Sequence, residues 1–202
     1  MNRRLAVLIS GRGSNLQSII DSIAAGELDA TIAVVVSNRS DAAGLLRARE
    51  AGIEALCLDP RGYSDRTVYD SAIVELLKAR DVGLVCLAGF MRLVRAPLLE
   101  AFPNAILNIH PSLLPAFPGI DAQPQALAHG VKVSGATVHL VTSELDSGPI
   151  VAQAAVPVLG DDTRDTLAAR ILIEEHKLYP EAIRTMLDGG WRIEDRRFVS
   201  LM

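Results

Sequence analysis

Four apolar runs, each closed by a polar or glycine-bearing turn and the first three followed by residues of helical period, restrict this chain more than any other feature. Residues 5–9, 31–37, 53–58 and 82–88 are short, continuous and rich in Val, Ile and Leu, as strands buried on both faces must be. Between them Leu16, Ile19, Ile20 and Ile23 recur at helical spacing, residues 42–51 form a helix stopped by Gly52, and Arg66 opens a helix with Tyr69, Ile73, Leu76 and Leu77 on one face. Strands alternating with helices require right-handed βαβ crossovers, and hence an α/β fold with an open, mostly parallel sheet. Composition agrees: half the residues are hydrophobic but only 4% are aromatic, the balance expected when β-branched strands alternate with Ala- and Leu-rich helices. At 202 residues the chain is expected to form a single domain that buries roughly 70% of its unfolded surface.

In open parallel sheets ligands bind beyond the carboxyl ends of the strands, so the turns after residues 9, 88 and 109 are expected to gather along one edge. The first turn is Ser10-Gly11-Arg12-Gly13-Ser14-Asn15. Its glycines allow a tight turn and close approach of the backbone to a ligand, and the helix that follows offers N–H groups and a positive dipole end to an anion. A third glycine is missing where Leu16 stands, and no Gly-Lys-Ser/Thr follows, so the dinucleotide and triphosphate fingerprints both fail. Two readings remain open: a seat for one phosphate, or an ordinary turn with Ser14 or Asn15 capping the helix.

The turn after residue 109 carries an amide and an imidazole. Asn108 and His110 are two apart at the end of an apolar run, so in a strand they share a face while Ile109 turns into the core. Pro111, Pro115 and Pro118 then stiffen the backbone as it leaves the strand. Such a pair can polarise a carbonyl, or it can be a satisfied polar strand end.

After Gly119 the pattern changes. Residues 122–128 read as a helix, and residues 136–141 and 149–156 as the strands of an antiparallel hairpin around the polar loop 142–148. Asp146 lies in that loop, either as a carboxylate that charges and orients a histidine or as an Asx turn before Gly148-Pro149. His139, in mid-strand, reads as a packing histidine. Asp161-Asp162-Thr163 marks the cap of a long helix in which Pro180 is expected to force a kink or a break, and residues 191–199 are expected to end the chain as a surface hairpin. Arg66 and Arg92 read on sequence alone as solvated surface arginines.

A net charge of −4 argues against nucleic acid as the main partner, since binding a phosphate backbone needs a basic face. Cys57 and Cys86 lie inside apolar runs without a secretory leader, so both are expected to be reduced core thiols of a cytoplasmic protein. No apolar run approaches the roughly 20 residues of a membrane helix.

Together these segments carry a resemblance. Residues 10–16, 88–92, 108–115 with 117–119, 135–139 and 145–149 occur in the order and spacing of the phosphoribosylglycinamide formyltransferase family, the folate-dependent glycinamide ribonucleotide transformylases of purine synthesis. The match spans nearly the whole chain and implies one Rossmann-like formyltransferase domain over residues 1–202. Its phosphate-binding half is 1–105, and its folate-binding and catalytic half is 106–202.

The resemblance further implies formyl transfer from 10-formyltetrahydrofolate to the amine of 5'-phosphoribosylglycinamide. Asn108 and protonated His110 would stabilise the oxyanion, and Asp146 would orient and charge His110 and assist proton transfer. Gly13, Ser14 and Asn15 would hold the phosphate, and Glu175 the ribose or glycinamide groups. Arg66, Met91, Arg92, Leu93 and Val94, with Asn108, Thr142, Ser143, Glu144, Leu145 and Asp146, would bind the folate. No metal is implied, nor a membrane partner, and the chain would act as a monomer or weak homodimer.

Two positions depart from the family's pattern: Asp121 stands where it often has His, and Pro124 where it often has Arg. Methionyl-tRNA formyltransferases share the Asn-x-His core but resemble a longer, more basic protein. Formyltetrahydrofolate hydrolases place a regulatory domain before it, and the first strand here begins at Leu5. A catalytically silent folate- or nucleotide-binding module is the alternative of another class.

Overall fold

A computed structural model describes residues 2–201. The chain divides into two compact units after Asn108. In the first, strands β1 (Arg4–Ile9), β2 (Thr31–Ser37), β3 (Ala55–Cys57), β4 (Leu84–Leu87) and β5 (Ile106–His110, which runs through the division) alternate with helices α1 (Ser14–Ala24), α2 (Ala43–Glu50), α3 (Arg66–Lys78) and α4 (Ala96–Ala101). The strands lie in the order β3-β2-β1-β4-β5, and every pairing among them is parallel. Leu5 to Ile9, Val34 to Val36, Leu84 and Val85 are fully buried, and Leu16, Ile19, Leu45, Ile73 and Leu77 complete the core from the helices. The apolar runs therefore form strands because helices cover both faces.

Register sets the level of the site. Leu8 pairs with Leu87 and Leu87 with Asn108, so Asn108 stands at the carboxyl ends of these strands, level with the starts of the turns at Ser10 and Ala88.

Three expectations need correction. Cys57 is exposed while Cys86 is buried, because β3 is a three-residue edge strand and its last residue has no neighbour beyond it. Helix α4 is absent from the sequence pattern: its six residues are too few to show a period, and Pro97 at its start has the look of a turn. The third difference lies in the second unit.

There β6 (Val133–Leu140) and β7 (Ile150–Pro157) form the expected antiparallel hairpin, with a register shift between Val138 and His139. Helix α5 (Ala122–Ala128) precedes it. Helix α6 (Arg164–Asp188) follows, and β8 (Trp191–Glu194) and β9 (Arg197–Ser200) close the chain as a hairpin, β9 running parallel to β7. Helix α6 continues through Pro180 without a break. The hydrogen bond lost at Pro180 is outweighed locally by packing, since Leu178, Tyr179, Pro180, Ala182 and Ile183 are all buried. Its start matches the sequence: Thr163 and Thr166 form a reciprocal capping box, and Asp162 accepts from Leu159 N, Thr166 Oγ1 and Arg170. Arg170, with these N–H and O–H groups, holds the Asp162 carboxyl well below the usual carboxylate range.

The hairpin leaves no room at Gly135, where a Cβ would overlap the Ala154 carbonyl oxygen and come within 2.8 Å of Leu113 Cδ2. Gly135→Ala is expected to cost about 1–3 kcal/mol. Urea unfolding should show it as a lower midpoint at unchanged slope.

Candidate active site

Each unit contributes a group of candidate residues. In the first, Gly13 caps α1 in the left-handed conformation (φ 71°, ψ 31°) without any side-chain cap, so Ser14 and Asn15 lie in the first turn and do not cap it. That turn's N–H groups have no partner within the helix. Ser10 joins this turn to the one after β4: its hydroxyl donates to Asn38 Oδ1 at 2.6 Å and accepts from Met91 N–H at 2.8 Å. At the far end of the second turn, Arg95 N–H donates to the buried Asp70 carboxylate at 3.0 Å. The segment Met91, Arg92, Leu93 and Val94 is thus pinned at both ends. Arg92 lies over the Tyr69 ring, 4.8 Å from its centroid, so it is held by a cation–π contact and is not a freely solvated arginine. Met91 (73% exposed) and Leu93 (57%) turn large apolar side chains outward. Arg66 is exposed at the first position of α3.

The second unit holds the ionisable cluster. His110 is buried, its Nε2 lies 2.8 Å from the Phe117 carbonyl, and its Nδ1 lies 3.4 Å from Asp146 Oδ2. A carbonyl only accepts, so Nε2–H is the donor of that contact, and Nδ1 faces the carboxylate. Ser112 Oγ, bonded to the Ala116 carbonyl at 2.6 Å, shapes the loop that presents Phe117.

Asp146 sits in the left-handed region (φ 45°), which Asp tolerates better than most residues, and its side chain is only 8% exposed. Gly119 N–H donates to Oδ2 at 2.8 Å, and His139 Nε2 lies 3.6 Å from Oδ1. Burial pushes the carboxyl up, but His139, the Gly119 N–H and the His110 ring together outweigh it and hold it below its ordinary value. His139 Nδ1 contacts the Leu140 carbonyl at 2.9 Å, which orients its ring. The histidine read as packing therefore braces the carboxylate from the side opposite His110.

Of the other candidates, Glu175 is buried on α6. Thr142, Ser143, Glu144 and Leu145 form the exposed part of the loop before Asp146, where Ser147 Oγ donates to Glu144 Oε2 at 3.0 Å and Leu145 is 54% exposed. Asp121 caps α5 and pairs with Arg164 at 3.0 Å, both groups exposed. Pro124 falls in the first turn of α5, where its missing N–H is not needed.

Sequence reasoning missed three contributors: Ser10, His139 and the Phe117 carbonyl. Ser10 and His139 stood inside segments already singled out, but Ser10 meets residues distant in sequence, and His139 meets Asp146 through the way the hairpin loop turns back. A backbone carbonyl leaves no mark in the sequence at all.

The Formyl transferase family profile matches residues 3–183 of this chain. Phosphoribosylglycinamide formyltransferase of Escherichia coli (strain K12) is 41% identical over 191 residues, covering 95% of this chain and 90% of that protein. The crystal structure of glycinamide ribonucleotide transformylase 1 from Symbiobacterium toebii is 59% identical with a TM-score of 0.98, covering 100% of this chain and 95% of that one. The chain belongs to the phosphoribosylglycinamide formyltransferase family. It is also 46% identical over 186 residues to the human trifunctional purine biosynthetic protein adenosine-3, covering 92% of this chain but only 18% of that protein.

Proposed function

We propose that this chain transfers a formyl group from 10-formyltetrahydrofolate to the amine of 5'-phosphoribosylglycinamide in purine synthesis, in the cytoplasm and without a metal. One observation carries the roles of the residues: a buried carboxylate 3.4 Å from a buried imidazole, two residues after an amide in the same strand.

The amine attacks the formyl carbon, and the carbonyl oxygen gains negative charge. The Asn108 amide and the His110 Nε2–H donate to that oxygen, the latter shared with the Phe117 carbonyl it already meets. Asp146 keeps the ring charged and oriented, and accepts the proton of the attacking nitrogen through a water. The carbon–nitrogen bond to the folate then breaks, and the folate nitrogen takes a proton.

Gly13, Ser14 and Asn15 seat the phosphate, and Glu175 holds the ribose or glycinamide groups. The folate is bound by Arg66, the segment 91–94, and Thr142 to Asp146. The exposed apolar side chains of Met91 and Leu93 suit a flat ring system that needs covering. Met91 N–H is already taken by Ser10, so the pterin edge is left to the remaining backbone groups of that segment. The chain works as a monomer or weak homodimer on small molecules.

Formyl transfer measured with and without the ribonucleotide amine tests this reading. Transfer only in the presence of the amine is the expected result. Formate release without it would make the chain a hydrolase, and binding without turnover would make it a sensor.

A further inference from the structure

We propose that helix α2 clamps the phosphate loop, and that Gly44 and Arg47 are positioning residues for the ribonucleotide phosphate, acting through the loop; this rests on reading Gly13, Ser14 and Asn15 as the phosphate seat. A seat built from backbone N–H groups works only if the neighbouring carbonyl oxygens, which repel an anion, are turned away and held there. Three consecutive loop carbonyls are held. Gly11 O accepts from Gly44 N–H at 3.0 Å, Arg12 O from Arg47 Nε at 2.9 Å, and Gly13 O from Gln17 N–H at 2.9 Å. Two of those three donors belong to α2.

The approach is close. A Cβ on Gly44 would lie 2.5 Å from Ile9 Cδ1 and 3.1 Å from Gly13 Cα, and a Cβ on Gly13 would lie 2.6 Å from Gly44 Cα. Two glycines face each other where the loop meets the helix, and neither can gain a methyl group without moving the loop. Arg47 extends the clamp, since its Nη1 donates to Gln17 Oε1 at 3.2 Å and so links the loop to the first turn of α1. Arg47 is partly exposed and its bond to the Arg12 carbonyl faces solvent, but a charged donor makes that bond stronger than one from a neutral group.

Steady-state kinetics with both substrates varied test this, beside competitive inhibition by inorganic phosphate. Arg47→Met keeps the aliphatic length and removes every donor. It is expected to raise the ribonucleotide KM about tenfold and weaken phosphate inhibition in parallel, the loss of one charge-assisted hydrogen bond. The folate KM and kcat should stay within about twofold, and Arg47→Lys, which retains a donor, should recover part of the loss. Gly44→Ala should show the same split more strongly, with thermal melting confirming that each variant is folded. Ser14→Asp, which puts a negative charge in the seat itself, is the reference. If it raises the ribonucleotide KM while the Arg47 and Gly44 variants do not, the seat stands and the clamp is overturned. If Ser14→Asp leaves that KM unchanged, the seat reading fails and the clamp fails with it. Equal losses in both KM values and kcat for Arg47→Met would also overturn the proposal.

Discussion

Replacing His110 with alanine is expected to lower kcat by on the order of 10² to 10³ while leaving the KM of either substrate within a few fold. The imidazole is buried between the Phe117 carbonyl at 2.8 Å and the Asp146 carboxylate at 3.4 Å, so its ring is fixed before any substrate arrives. A donor held in this way meets a neutral formyl oxygen weakly and an oxyanion strongly. Its removal therefore raises the barrier more than it weakens the ground-state complex. Because truncating a buried ring also leaves a cavity, His110→Gln is the companion variant: it keeps volume and a donor but not a cation. Partial recovery in His110→Gln would separate hydrogen bonding from charge. A parallel loss of binding and turnover in both variants would contradict the transition-state role.

How much of this was legible before the fold was known differs between backbone and site. Strands β1, β2 and β4 and helices α1 and α3 follow from periodicity because each buries a whole face, so hydrophobic pattern and structure have the same cause. Failures occurred where local pattern and tertiary environment disagree. Cys57 lies in an apolar run yet ends an edge strand, and Pro180 should break a helix yet sits in its most buried stretch. For the site, alternation in β5 placed Asn108 and His110 on one face, but nothing local paired His110 with Asp146, 36 positions away in the chain. Only the family resemblance linked them. The bracing of Asp146 by His139 depends on the register of β6 at its irregularity, which no residue spacing announces.

That bracing makes Asp146→Asn the second large effect. The carboxylate meets His110 Nδ1 on one oxygen and His139 Nε2 on the other, with Gly119 N–H also on the first. An amide of the same shape has one accepting oxygen in place of two and carries no charge. A loss in kcat on the order of 10² or more is expected, with ligand binding nearly preserved. Stability supplies an independent readout. Burial alone would raise the Asp146 carboxyl, but its histidine and N–H partners leave it below the ordinary value of 3.8. A group whose value is lowered by folding contributes stability above its unfolded value, and loses it as pH falls through the folded one. The stability gap between the native chain and Asp146→Asn, taken from urea midpoints, should therefore shrink as pH falls below about 4. A gap that stayed the same into the acid range would mean that the substitution acts through shape and not charge, and the charge of Asp146 would lose its place in the site.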